Sequence, residues 1–361
     1  MTDAQYQTAL ALFGQGRHAE GAQVLGQAAS AGHVPSMSLL GGQLLSGRGV
    51  ASDVATGGRL ILRAAELGSG FACATAATLF ARGYSGAADW PRALDYLQRA
   101  AELGFEPAQS QLRLLSGYKA GIDWKKLRRA VDIAAWRRFP APLALSEAPL
   151  IRAAPGLLSP ELCDALIAQA RPHLGPAPVY NELRGGNTTA DARRHSSAAL
   201  SRITDIDLVT EAVCNRVCAL AGVTADQAES MQVLHYRPGE YFAPHLDCWN
   251  PEFEGHVETL RKYGQRVFTV LVYLNDDFEG GETEFLALRT RHKGQRGDAL
   301  MFRNVAEDGL PDPRTLHAGR PPTQGEKWLL SVWIRDRALP PEDRDPALMA
   351  EMAAAGPPRR A

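Results

Sequence analysis

The chain has 361 residues, 45% hydrophobic and 22% charged, which is the balance of a folded globular protein and more length than one average domain needs. A formal net charge of −1 excludes a global attraction to nucleic acid or to an anionic membrane, so neither partner is expected. The start, MTDAQYQTALALF, lacks the basic flank and apolar run of a secretory signal, and the cysteines Cys73, Cys163, Cys214, Cys218 and Cys248 form no CxxC pair. The expectation is a cytoplasmic protein with no membrane segment, disulfide framework or zinc cage.

The first elements along the chain are repeats. GQAASAG (26–32), LRAAELG (62–68) and QRAAELG (98–104) recur every 36 residues, and the period brings Leu25, Ile61 and Leu97 into register, as well as Gly47 with Gly83 and Asp53 with Asp89. Each unit reads as two alanine-rich helices around a glycine turn, and stacking such units buries faces that a single unit leaves wet. These motifs resemble Sel-one-like repeats, relatives of the tetratricopeptide class. The resemblance implies an all-α solenoid over 1–117 with a surface that could recruit a peptide or protein.

Residues 118–149 form a basic linker whose helical stretch, WKKLRRAVDIAAWRRF, should stop at Pro140 and Pro142. Its charge run, Lys125, Lys126, Arg128, Arg129, Arg137 and Arg138, reads first as a solvated helix face. From 150 on, Ser159 before Pro160 and Glu161 starts a helix, and a second helix is expected near Asp207–Ala221. The apolar runs MQVLHY, RVFTVLVYLN, DALMF and KWLLSVWI then read as strands, which makes 150–337 a jelly roll flanked by helices. Residues 338–361 are expected to be a flexible tail.

His245 and Asp247 are one residue apart, so on an extended strand both side chains project to one face. His317 follows 70 residues later, a separation that pairing of remote strands can close. Two imidazoles and one carboxylate on one face of an octahedron leave three positions open, as iron(II) oxygenases require. Lys327 stands ten residues past His317 on the KWLLSVWI strand, and a buried ammonium there needs an anion. A strand-end lysine in solvent is the bland reading.

With these elements in hand, VLHYRPGEYFAPHLD, QRVFTVLVYLND, GGETEF, GDALMF, LHAG and GEKWLLSVWIRD, taken in order over a core of 230–336, resemble the catalytic core of prolyl 4-hydroxylases. The resemblance implies a double-stranded β-helix, with iron(II) on His245, Asp247 and His317 and no catalytic residue beyond the metal centre. Lys327 would hold the far carboxylate of 2-oxoglutarate, helped by Tyr236 and Thr283, while Arg266 and Trp333 would line the substrate side. The implied reaction is procollagen-proline 4-dioxygenase-like: hydroxylation of a peptidyl proline with O2, 2-oxoglutarate converted to succinate, and L-ascorbate as reductant.

Three alternatives stay open at this stage: a hydroxylase of a free amino acid or small molecule, a repeat-based adaptor with an inactive oxygenase domain, and a metalloprotein that ignores 2-oxoglutarate. The stretch 248–265, long beside the ligand strand, is expected to shape the substrate entrance, and ARRHSSAALSR to form either the opposite lip or a surface loop. His235 and His195 carry no ligand spacing and are left as structural or surface residues.

Overall fold

The structure, a computed structural model, describes residues 2–84, 87–118, 122–177, 179–181, 186–188, 196–200 and 206–339. His195, most of the ARRHSSAALSR flanks and the tail from residue 340 lie outside them. The described chain falls into two compact units, one built on the residues up to Ile133 with a segment ending at Ala212, the other on the remainder. No helix among the described residues is long and apolar enough to cross a membrane.

The first unit is helical: α1 (Thr2–Gly14), α2 (His18–Ser30), α3 (Val34–Ser46), α4 (Val54–Glu66), α5 (Gly70–Ala81), α6 (Trp90–Glu102), α7 (Glu106–Ser116) and α8 (Trp124–Ala130). Helices α2, α4 and α6 start at 18, 54 and 90, and α3, α5 and α7 at 34, 70 and 106, so the sequence period is a period of helix starts. The capping chemistry repeats as well. Asp53, Asp89 and Asp123 each accept a backbone N–H three residues on, from Thr56, Arg92 and Lys126, satisfying a donor that the first helical turn leaves open.

Leu25, Ile61 and Leu97, with Ala28, Ala64 and Ala100, are fully buried, so the aligned positions form the packed stripe of α2, α4 and α6. Helices α3 and α4 touch backbone to backbone. A Cβ placed on Gly57 would stand 2.9 Å from the Gly41 carbonyl oxygen, a contact only glycine permits. The basic stretch does not continue as one helix: α8 ends at Val131, whose backbone is extended, and a short α9 (Ile133–Trp136) follows. Lys125, Lys126, Arg129, Arg137 and Arg138 are exposed, while Arg128 is half-buried and donates to Asp95 at 2.8 Å.

The elements that follow are β1 (Leu143–Glu147), β2 (Leu150–Ala154), α10 (Pro160–Ala170), β3 (Gly175–Pro176), β4 (Val179–Asn181), β5 (Gly186–Thr188), β6 (Ser196–Leu200), α11 (Leu208–Leu220), β7 (Met231–Tyr236), β8 (Phe242–His245), α12 (Glu254–Tyr263) and β9 (Arg266–Tyr273). Then come β10 (Glu279–Gly280), β11 (Thr283–Phe285), β12 (Thr290–His292), β13 (Ala299–Arg303), β14 (His317–Gly319), β15 (Pro322–Gln324) and β16 (Lys327–Arg335). Ser159 caps α10 through Leu162 N. β1 falls in the stretch read as a linker and is the edge strand of a sheet, and Ser196–Leu200, expected as a lip or loop, is a strand beside β7.

A large antiparallel sheet has the order β1-β2-β13-β9-β16-β7-β6-β3, and a smaller one β12-β11-β14-β8. All nine residues of β16 are buried, which is why its sequence is an unbroken apolar run rather than an alternating one. Alternation still sorts its side chains between the two faces of the sheet. Lys327, Leu329, Ser331 and Trp333 face a cleft, and the residues between them face the other way. The core around that cleft contains Leu234, Leu271, Phe285, Leu300, Phe302 and Leu329, each contributing about 1.5–3 kcal/mol of burial.

Candidate active site

The cleft is lined by both sheets. β7, β9 and β16 of the large sheet contribute Gln232, Leu234, Tyr236, Leu271, Lys327, Leu329, Ser331 and Trp333, and the small sheet contributes Phe242, His245, Thr283, His317 and Gly319. Register does the assembling. β14 pairs with β8 so that His317 lies opposite His245, closing the long sequence gap between them. β8 ends at His245, so Asp247 projects from the turn just beyond the strand rather than from the strand itself.

One donor atom from each of His245, Asp247 and His317 lies within 4.8 Å of the others. His245 Nε2 is 3.3 Å from Asp247 Oδ1, and His317 Nε2 is 3.6 Å from Oδ2. The tautomers follow from the neighbours. His245 Nδ1 lies 2.8 Å from the Ala243 carbonyl and His317 Nδ1 3.0 Å from that of Thr315. A carbonyl can only accept, so each Nδ1 carries the proton and each Nε2 lone pair is left for a cation.

Phe242 stacks on His245 with ring centroids 3.6 Å apart, and Phe302 meets His317 edge to face at 4.8 Å, which fixes both rings. Burial and then the neighbouring His245 push His317 down to about 4, so it is neutral near pH 7. Burial pushes the Asp247 carboxyl up. The charges of His317 and His245 and the Thr269 hydroxyl overcome that and hold it well below the usual carboxylate range. A buried carboxylate beside two imidazoles whose Nε2 atoms face it is a donor set that fits a divalent iron ion with positions left open.

The support of Asp247 was not legible in the sequence. Thr269 Oγ1 donates to Asp247 Oδ2 at 2.7 Å, and Asn304 Nδ2 donates to Thr269 Oγ1 at 3.0 Å, with all three residues buried. Thr269 looks like any strand threonine, and Asn304 carries no spacing signal. Gln232, Leu329 and Ser331 could have been found by counting in steps of two from Tyr236 and Lys327.

Lys327 lies opposite Tyr236 across the β16–β7 pair and is 1% exposed. Among the described residues its Nζ has no hydrogen-bond partner, and it faces the rings of Tyr236 at 5.1 Å and Tyr273 at 5.7 Å. Burial lowers its pKa to about 7, with Glu282 opposing. An orphaned ammonium at the wall of a cleft that also holds three metal donors fits a ligand with an anionic end and a chelating end. Thr283 is buried, and its hydroxyl lies 3.2 Å from Tyr273 OH.

Arg266 and Trp333 are together, but the arginine is already engaged. It donates twice to Glu229 at 2.7 Å and once to the Asp247 carbonyl at 3.3 Å, and its guanidinium lies 4.2 Å from the Trp333 ring and 5.0 Å from that of Trp249. The stretch 248–265 contains α12 and is tied at its base by Gln265, whose amide accepts from Trp249 N and donates to Trp249 O. His235 is 4% exposed and stacks on Trp328 on the face away from the cleft.

Comparison with known proteins bears on this geometry. Residues 231–335 match the family model of the 2OG-Fe(II) oxygenase superfamily. The chain is 34% identical over 210 residues to prolyl 4-hydroxylase 1 of Arabidopsis thaliana, covering 55% of this chain and 72% of that one. To probable prolyl 4-hydroxylase 10 of the same plant it is 30% identical over 236 residues, covering 60% and 75%. Among solved structures, the viral collagen prolyl hydroxylase from Paramecium Bursaria Chlorella virus-1, in its 2OG complex, is similar at 25% identity and a TM-score of 0.40, over 51% of this chain and 94% of that one.

Proposed function

The chain belongs to the prolyl 4-hydroxylase family of 2-oxoglutarate and iron(II) oxygenases, and on that premise we propose that it hydroxylates a proline held within a peptide. Membership makes it an oxidoreductase that uses Fe(II), 2-oxoglutarate and O2. We assign the ion to His245, Asp247 and His317, and the far carboxylate of 2-oxoglutarate to Lys327 with Tyr236 and Thr283 beside it. The observation that carries the assignment is the buried Lys327 ammonium, without a hydrogen-bond partner among the described residues, in the cleft that holds the two histidines and the aspartate.

When bound, iron(II) with 2-oxoglutarate couples decarboxylation of the keto acid to insertion of one oxygen atom into a substrate C–H bond. The chain's own work is orientation and dryness. His245 and His317 present Nε2, Asp247 presents an anion held by Thr269, and Lys327 fixes the cosubstrate end to end by a charge-assisted hydrogen bond. Leu234, Phe242, Leu271 and Leu329 keep the walls apolar, which strengthens each polar contact inside.

The two sheets are read as the faces of a jelly roll, and the helical unit as Sel-one-like repeats that recruit the peptide or its carrier. The 36-residue recurrence of helix starts supports the repeat reading. The division into 1–117, 118–149 and 150–337 belongs to the same proposal, as does L-ascorbate as reductant. The test is succinate release that requires iron(II), 2-oxoglutarate and a proline-containing peptide, with a peptide product heavier by one oxygen atom. Full turnover by a His245→Ala variant would sink the metal assignment.

A further inference from the structure

Lys327 is the first residue of β16, and strand ends are where pairing opens most easily. A buried ammonium in an apolar wall adds to that tendency in the ligand-free chain, because swinging the strand end outward would return the charge to water. Residues 326–328 therefore need a hold from outside the cleft. Both neighbours of the lysine have one.

On the β9 side the regular ladder stops short. Leu329 lies opposite Tyr273, and Leu274 N donates to the Trp328 carbonyl at 2.9 Å. Trp328 N then donates to a side chain, Asn275 Oδ1, at 2.7 Å, and Asn275 Nδ2 donates to the Glu326 carbonyl at 2.7 Å. One planar carboxamide thus stands where the peptide of a partner strand would stand and grips the residue on either side of Lys327. The carboxamide is itself anchored, since Nδ2 also donates to Asp277 Oδ1 at 2.6 Å. The turn before β16 has no slack: Gly325 has φ +72°, and a Cβ there would collide with the Asp277 carbonyl oxygen.

On the face away from the cleft, the side chains of the same two neighbours meet one residue of β7. His235 lies opposite Trp328 in the β16–β7 pair, with ring centroids 4.2 Å apart. Its Nε2 is 3.0 Å from Glu326 Oε2. We propose that Asn275 and His235 are positioning residues that clamp the chain on both sides of Lys327, so that its ammonium stays in the cleft to meet the far carboxylate of 2-oxoglutarate. The assignment rests on the cosubstrate reading above and adds to it the residues that enforce it. Neither residue is among those lining the cleft, so each acts through Lys327.

The experiment is calorimetric and needs no turnover. The full chain, loaded with iron(II) with oxygen excluded, is titrated with 2-oxoglutarate and separately with 2-oxovalerate, which has the same keto acid end but a methyl group at the far end. The parent should prefer 2-oxoglutarate by about 10- to 150-fold, the contribution of a hydrogen bond to a charged group. Asn275→Ala should lower that preference about tenfold, and His235→Phe, which keeps a ring beside Trp328, about two- to tenfold. Both variants should keep the Kd values for iron(II) and for 2-oxovalerate within about twofold of the parent's, because the clamp acts on the lysine alone.

The ratio of the two keto acids separates the possible failures. A parent without the preference overturns the cosubstrate reading. Where the parent has it, variants that keep it in full, or that weaken both keto acids equally, overturn the clamp. If Asn275→Ala no longer binds iron(II), the same ratio in His235→Phe decides.

Discussion

Replacing Lys327 by methionine keeps an unbranched stem in the same space and removes a charge that the fold holds at a loss. The residue is 1% exposed, its Nζ lacks a hydrogen-bond partner among the described residues, and burial takes its pKa from 10.5 to about 7. Between those values the unfolded chain keeps a proton that the folded chain has released, so stability rises with pH across the window. Below about pH 7 both states are protonated and the penalty is fully present.

At about 1.4 kcal/mol per pH unit the gap sets a ceiling of roughly 5 kcal/mol. Apolar replacement of buried ionic groups in other proteins has gained about 1–4 kcal/mol. With roughly 2–4 °C per kcal/mol for a unit of this size, the ligand-free variant should melt about 2–16 °C higher than the parent at pH 7. The advantage should shrink as the pH approaches 10.5, the value of the unfolded lysine.

Function should move the other way. Losing a hydrogen bond to a charged group, about 1.5–3 kcal/mol, should raise the Kd for 2-oxoglutarate about 10- to 150-fold. Thermal melts followed by circular dichroism across the pH range, and calorimetry with 2-oxoglutarate, read the two effects separately. A variant that is less stable than the parent at neutral pH, or one that binds 2-oxoglutarate unchanged, would refute the reasoning.

Thr269→Val keeps shape but removes the hydroxyl that donates to Asp247 and accepts from Asn304, so the iron(II) dissociation constant should rise about 10- to 100-fold. A metal titration giving the parental value would count against Thr269 as a support. Asp89→Ala removes the cap on Arg92 N and should cost the helical unit about 1 kcal/mol, seen as a lower urea midpoint. Asp53→Ala should behave alike, since the two caps are equivalent positions of one repeat. Gly57→Val would force a Cβ to 2.9 Å from the Gly41 carbonyl oxygen and should destabilise by about 1–3 kcal/mol, and an unchanged midpoint would mean that α3 and α4 do not cross so closely.

What could be read from the sequence, and what could not, divides by the range of the interaction. Repeats were legible because each helical pair solves the same packing problem with the same residues: Leu25, Ile61 and Leu97 inside, Asp53 and Asp89 at the caps. Strands β9 and β16 were legible because burial on both faces leaves an apolar run. β1 and β6 were not. LALSE and SSAAL gain their state by pairing with β2 and β7, and neither carries an apolar alternation of its own. The break at Val131 was missed because the basic residues on both sides suit a helix equally well.

The site splits in the same way. Spacing and family resemblance brought His245, Asp247, His317 and Lys327 into consideration, but the Thr269 and Asn304 support depends on the pairing of β9 with β13, which places Thr269 opposite Phe302, two residues before Asn304. Such a pairing leaves no local trace.

Arg266 is held in place by other protein groups. Resemblance suggested an arginine toward the substrate, yet Glu229 binds both Arg266 and Arg335, and against the effect of burial those two guanidinium groups hold the Glu229 carboxyl below its ordinary range. A half-buried cation paired this way is a strut, because breaking it would leave Glu229 poorly compensated. What Arg266 reaches from there is the Asp247 carbonyl on one side and the Trp249 and Trp333 rings on the other. Its neighbour Gln265 ties the base of the 248–265 stretch shut at Trp249. The metal-holding turn, the Trp333 ring and the root of α12 are therefore joined through two adjacent side chains. A change in the length or composition of 248–265 would reach the active site first through Trp249, before any substrate contact made by α12 itself.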